Sequence, residues 1–186
     1  MAAESAARLT LISGPAGGGK SRWAEHLASQ SGRPVVYLAT GPLLPEDPAW
    51  QERLRRHRQR RPAAWELREV GGALDEALVH LPPETLALVD SLGTWVAAHL
   101  DCGAAEWERL SADLQRVLEA PGGPVLLVVE ECGWGVVPAT AAGGRFRERL
   151  ASIQQRLARR CAASWLVLQG RALDLQQLAQ LVPGEA

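Results

Sequence analysis

The residues Gly14-Pro15-Ala16-Gly17-Gly18-Gly19-Lys20-Ser21 have types and a spacing suited to gripping a polyphosphate. They fit Gly-x-x-x-x-Gly-Lys-Ser/Thr at every defined position. Glycines are needed because backbone amides must curl around phosphate oxygens, and a Cβ would obstruct the turn or the approach. The apolar run Leu9–Ser13 leads in and a helical pattern from Lys20 leads out, so the loop opens a helix whose N-terminal dipole favours an anion. Lys20 is expected to reach the β- and γ-phosphates, and the Ser21 hydroxyl to ligate Mg²⁺. A glycine-rich turn matching by chance would not carry that strand and helix on either side. The loop implies a bound nucleoside triphosphate and an enzyme acting on it.

A second carboxylate on the metal side belongs at the end of another buried strand. Leu86-Ala-Leu-Val-Asp90 supplies one, and a helix N-cap is the competing use of Asp90. The segment Arg53-Leu-Arg-Arg-His57-Arg58-Gln-Arg-Arg61 is the other informative stretch. On a helix, Arg53, His57 and Arg61 fall along one face. A solvated basic face is the plain reading. A nucleic-acid patch is disfavoured by the formal net charge of -1 and by the lack of aromatics among the arginines. The chemical reading is that nearby guanidinium groups disfavour imidazolium and keep His57 neutral. A neutral His57 can attack phosphorus as a covalent nucleophile while the arginines hold the triphosphate. His26, His80 and His99 lack such neighbours and read as structural or exposed.

These residues need a scaffold. Apolar runs at Leu9–Ser13, Val35–Ala39, Leu86–Asp90, Val125–Val129 and Trp165–Leu168 read as strands covered on both faces. Helical patterns fill the gaps, at Lys20–Ser31, Ala49–Arg60, Leu74–His80, Leu92–Leu100, Ala105–Glu119 and Arg145–Ala162, with further helical spacing over Leu173–Leu181. Strand–helix alternation predicts an α/β domain with a mostly parallel sheet flanked by helices. At 186 residues, 47% of them hydrophobic, the chain fits a single domain with a real core. No apolar run approaches the ~20 residues that span a bilayer. Met1–Arg8 lacks the apolar centre of a secretory leader. Cys102, Cys132 and Cys161 are widely spaced and suggest neither disulfides nor a zinc site, so a cytoplasmic protein with reduced thiols is expected. Of seven tryptophans, Trp23, Trp95, Trp107 and Trp165 fall in periodic segments and read as core. Trp134, between two glycines, reads as a wall for a large flat ligand.

Several segments together resemble one family, the bifunctional adenosylcobinamide kinase/adenosylcobinamide-phosphate guanylyltransferases of cobalamin assembly. They are Gly19-Lys20-Ser21-Arg22-x-Ala24-Glu25, Val36-Tyr37-Leu38-Ala39-Thr40, His57-Arg58-x-x-Arg61-Pro62-x-x-Trp65 with Glu69, and Val89-Asp90-Ser91-Leu92-x-Thr94-Trp95. Glu131-Cys-Gly133-Trp-Gly135-Val-Val137-Pro138, Phe146-Arg147-Glu148 and Gln155-Arg-Leu157-Ala158 complete the set. The resemblance runs from about Leu9 to Gly170. It implies a P-loop NTPase (RecA-like) domain, GTP or ATP as substrate with Mg²⁺, and a homotrimer. It also implies two reactions: phosphorylation of adenosylcobinamide, and transfer of GMP from GTP to the product through a guanylylated histidine that matches His57. Ala39, Thr40, Gly41, Arg58, Arg61, Glu69 and Asp90 match positions that the family uses around the nucleotide. The chain departs from the family where Glu130 replaces an asparagine and where Gln154-Gln155 replaces Asn-Gln. Those departures keep open a kinase that has lost nucleotidyl transfer, and a nucleotide-dependent binding protein is the alternative from another class.

Overall fold

Among the described residues seven strands form one sheet, and every pairing is parallel except that of the last two strands in sequence. The computed structural model describes residues 8–182 apart from Pro121 and Val136, and the backbone but not the side chain of Arg53. Readings that fall on Met1–Ala7, Val136 and the Arg53 side chain lie outside the described residues. The strands are β1 (Leu9–Gly14), β2 (Val35–Ala39), β3 (Glu66–Glu69), β4 (Leu86–Asp90), β5 (Val125–Glu130), β6 (Ala163–Leu168) and β7 (Arg171–Asp174), lying in the order β3-β2-β4-β5-β1-β6-β7. The helices are α1 (Lys20–Gln30), α2 (Pro48–Arg60), α3 (Leu74–Val79), α4 (Leu92–Ala98), α5 (Ala104–Glu119), α6 (Ala141–Ala158) and α7 (Leu175–Leu178).

The apolar runs are central strands because successive side chains leave opposite faces of the sheet and both faces are covered. Leu11, Leu38, Val89 and Leu127 join one buried cluster with Leu92, Trp95, Trp107, Leu114, Leu150 and Ile153 from α4, α5 and α6. Their strand neighbours Ile12, Tyr37, Leu88 and Val128 join a second cluster with Ala24 and Ala28 of α1. In α5, Trp107, Ser111, Leu114 and Leu118 are the buried residues, a helical spacing along one stripe. Each such leucine contributes roughly 1.5–3 kcal/mol on burial. Helix α2 does otherwise: among its described residues none is buried, and none belongs to either cluster. It exists through local chemistry. The Asp47 carboxylate accepts from the Trp50 N–H at its start, Pro48 occupies the first turn, and Arg61 before Pro62 leaves the helical region.

Three elements differ from the sequence expectations. β3 escapes an apolar-run search because Glu-Leu-Arg-Glu is a largely exposed edge strand beside β2. Helix α6 begins at Ala141 rather than Arg145, since Thr140 caps it by accepting from Gly143 N–H, and the following glycines hide that start. The expected helix over Leu173–Leu181 is overturned in part: Arg171–Asp174 pairs antiparallel with β6, and only Leu175–Leu178 is helical. No helix among the described residues is long and apolar enough to cross a membrane.

Candidate active site

The C-terminal ends of β1, β2, β4 and β5 open on a cleft of about 400 Å³, the place where open parallel sheets bind ligands. The phosphate loop forms one wall. Gly14 has φ +150, and a Cβ there would overlap the Val167 carbonyl oxygen; at Gly18 it would lie 2.7 Å from the same atom. The loop therefore lies directly against β6, which only glycine permits. Gly18 N–H donates to the Pro15 carbonyl at 3.2 Å, and Gly170 N–H donates to the Gly18 carbonyl at 3.1 Å. Gly19, at φ 110, is the N-cap of α1. Lys20 is buried and lies across the loop, its Nζ donating to the Pro15 carbonyl at 2.9 Å. Ser21 lines the cleft beside it.

Facing this loop, α2 contributes Trp50, Leu54, His57 and Arg60, and Arg61 follows its last turn. His57 Nδ1 stands 3.6 Å from Asp90 Oδ2, near enough for attraction and longer than a hydrogen bond. The same carboxylate oxygen accepts the Tyr37 hydroxyl at 2.6 Å. Burial first, and then the Asp90 carboxylate, push the Tyr37 phenol well above its ordinary range, so it stays a donor. The Arg61 guanidinium lies over the Tyr37 ring at 3.8 Å, and its Nε donates to the His57 carbonyl at 3.1 Å. The basic segment is thus not simply a solvated face. Its imidazole faces the Asp90 carboxylate, and Arg61 reaches its backbone carbonyl.

Asp90 does not cap α4. Ser91 does, accepting from Thr94 N–H in a capping box, and the Asp90–Ser91 peptide is cis. Glu130, the acidic departure noted in the sequence, ends β5 and turns onto the same helix start. Ser91 Oγ donates to one of its oxygens, and Gly93 N–H donates to the other at 3.0 Å. The helix dipole and these donors offset its charge. Gln154 is satisfied as well, since its amide donates to Glu131 Oε1 at 2.7 Å. The Cys132 thiol is pushed up by burial, then by Glu130 and Glu131, against an opposing pull from Lys20.

Of the residues singled out from sequence, Ala16, Gly17, Gly19, Lys20, Ser21, Ala39, Gly41, His57, Arg61, Glu69 and Asp90 line the cleft together. Gly14, Pro15 and Gly18 shape the loop behind it. Thr40 is buried, its hydroxyl donating to the Ser91 carbonyl at 2.6 Å and accepting from Ser91 N–H at 2.7 Å. Arg58 points to an exposed ion pair with Glu69 at 3.1 Å. Trp134 is 60% exposed and does not line the cleft. Trp95 and Trp107 are core, whereas Trp23 and Trp165 are partly buried against the second cluster. Sequence reasoning missed the roles of Tyr37, Trp50, Arg60 and Glu130. Tyr37 is the single tyrosine of the chain and lies in an apolar strand, which was the available signal. The oxygen donors Ser21 and Asp90 share one cleft and suit a hard cation such as Mg²⁺ that keeps phosphate and water ligands. Among the described residues no group of three or more His, Cys, Asp or Glu gathers as a metal cage.

The fold is that of P-loop NTPases. An ATPase from the type III secretion system of pathogenic bacteria superposes with a TM-score of 0.59 at 12% identity, covering 95% of this chain and 59% of that one. A protein from Pyrococcus horikoshii OT3 superposes with a TM-score of 0.56 at 9% identity, covering 91% of this chain and 86% of that one. Sequence relatives are nearer. The bifunctional adenosylcobalamin biosynthesis protein CobP of Pseudomonas aeruginosa is 35% identical over 89% of this chain and 96% of its own. The bifunctional adenosylcobalamin biosynthesis protein CobU of Escherichia coli is 33% identical over 90% of this chain and 99% of its own. The family model described as cobinamide kinase / cobinamide phosphate guanyltransferase matches residues 10–175, and to that family the chain belongs.

Proposed function

We propose that the protein phosphorylates adenosylcobinamide and then transfers GMP from GTP to adenosylcobinamide phosphate through His57. The observation that carries this reading is the placement of His57 in one cleft with Lys20 and Ser21, with Asp90 3.6 Å from its Nδ1. A carboxylate at Nδ1 favours a proton on that nitrogen and leaves the Nε2 lone pair for attack. In the transfer, Nε2 bonds to the α-phosphorus of GTP as the bond to the β-phosphate oxygen breaks, and pyrophosphate leaves. A phosphate oxygen of adenosylcobinamide phosphate then displaces Nε2, giving adenosylcobinamide-GDP and restoring the imidazole. In the kinase step the substrate hydroxyl attacks the γ-phosphorus of GTP or ATP, and the nucleoside diphosphate leaves.

The loop amides of Gly17–Ser21 and the Lys20 ammonium bind and orient the phosphates. Arg61, seated on Tyr37, offers positive charge where the pentavalent phosphorus gathers negative charge. Ser21 and Asp90 would hold Mg²⁺, which would supply further neutralisation of the phosphate oxygens when bound. Ala39, Gly41 and Glu69 shape the nucleotide side of the cleft, with Thr40 behind them through Ser91 and Arg58 paired with Glu69 at its exposed edge. A homotrimer belongs to the same reading.

Incubation with GTP labelled on the α-phosphate is the test. The expected result is an acid-labile, base-stable protein adduct that disappears in His57→Ala, while that variant still transfers γ-phosphate to adenosylcobinamide. A wild-type protein without the label refutes nucleotidyl transfer and leaves the kinase.

A further inference from the structure

Helix α2 carries the imidazole without adding a residue to either apolar cluster, and three arginine contacts at its end help to seat it. Arg61 lies on Tyr37, Arg58 reaches Glu69 from an exposed position, and Arg60 meets Glu25. The Glu25–Arg60 contact differs in kind. The Glu25 side chain keeps 11% exposure and Arg60 36%, against 39% and 55% for Glu69 and Arg58. Arg60 Nε donates to Glu25 Oε2 and Nη2 to Oε1, each at 3.2 Å. A planar fork on a carboxylate fixes direction as well as distance. Glu25 lies on α1, the helix opened by Lys20 and Ser21; Arg60 lies on α2, one turn beyond His57. The pair therefore joins the helix that grips phosphate to the helix that carries the nucleophile.

We infer that Glu25 and Arg60 are positioning residues for the histidyl transfer, setting where His57 stands over the phosphate loop. The inference rests on the proposed role of His57. Glu25 does not line the cleft, whereas Arg60 does, so Glu25 is the cleaner position to change. The triphosphate is gripped by loop amides and Lys20, which the sheet holds independently of α2. Attack on phosphorus requires Nε2 in line and close, and a ~1 Å misplacement can cost on the order of 10²-fold.

The test uses the full chain carrying Glu25→Gln, which keeps the shape and loses the charge. The readouts are the single-turnover rate of α-phosphate labelling, GTP affinity by calorimetry, γ-phosphate transfer to adenosylcobinamide, and amide hydrogen exchange. Labelling should slow about tenfold or more, with affinity and kinase rate held within about threefold because the loop is untouched. Exchange should quicken across α2 and stay unchanged in β1 and α1. Glu25→Asp, which keeps the charge and shortens the reach to Arg60, should reproduce the pattern more weakly, and it substitutes for Glu25→Gln if that chain does not fold. Wild-type labelling in these variants, unchanged exchange in α2, or parallel losses of affinity, kinase rate and labelling would each overturn the pair's role. A wild-type protein that takes no label sinks the histidine reading and this inference together. Label on wild type with full label on the variants sinks only the inference.

Discussion

Gly14 has the Val167 carbonyl against it and Glu131 N–H hydrogen-bonded to its own carbonyl. His57, across the cleft, rides on a helix with no buried residue among those described. The first wall is made of backbone and locked by its strand neighbours β5 and β6; the second is made of side chains, held by ion pairs, a stacked guanidinium and the Trp50 ring against Gly41. On the proposed function, phosphate binding is coupled to the integrity of the whole sheet, whereas the histidine chemistry depends on a few contacts that can be lost without unfolding. A fold that separates gripping from reacting in this way should give variants that fail in one respect alone.

The sharpest break in that comparison is expected from Gly14→Ala. A Cβ at φ +150 meets a neighbouring strand's carbonyl, so strand and loop must both shift. The expected cost is ~3–5 kcal/mol, which lowers Tm by about 10 °C or more, read by calorimetry, with GTP binding lost alongside. Retention of wild-type Tm would mean that the loop is not anchored as described. Tyr37→Phe acts where the two walls meet. It removes the hydroxyl donated to Asp90 and keeps the ring beneath Arg61. About 1.5–2 kcal/mol is expected from the lost charge-assisted bond, seen as a Tm fall of roughly 3–8 °C with slower labelling of His57. An unchanged labelling rate would detach Tyr37 from the reaction. The smallest effect belongs to Arg58→Ala. Its partner Glu69 is also exposed, and such pairs contribute ~0–1 kcal/mol. Tm should stay within about 3 °C of wild type, while any loss of GTP affinity would show that Arg58 contacts the nucleotide directly.

The loop, the central strands and the partnership of Asp90 with the cleft were legible because each is encoded locally. Leu86–Asp90 reads as a covered strand ending in a carboxylate, and the structure bears out the strand and its cleft-facing end. β3 was not legible, because an edge strand with one partner has no need of an apolar run. The Arg60–Glu25 contact joins α2 to α1 across 35 positions of sequence, and no spacing rule connects them. Glu130 was visible only as a departure, and its use as a partner of Ser91 and Gly93 depends on how β5 and α4 end side by side. The basic segment was ambiguous for a physical reason: arginines every few residues suit water as well as they suit phosphate.

The placement of β1 in the sheet has an effect on biogenesis. Of the seven strands it is translated first, yet it lies between β5 at 125–130 and β6 at 163–168. The loop that follows it leans on Val167 and is hydrogen-bonded by Gly170. A nascent chain halted before those residues carries the complete phosphate motif without the surface that shapes it. Competence to hold nucleotide thus waits for the residues through Gly170, and nucleotide retention by ribosome-bound fragments of increasing length would report when the sheet closes around its first strand.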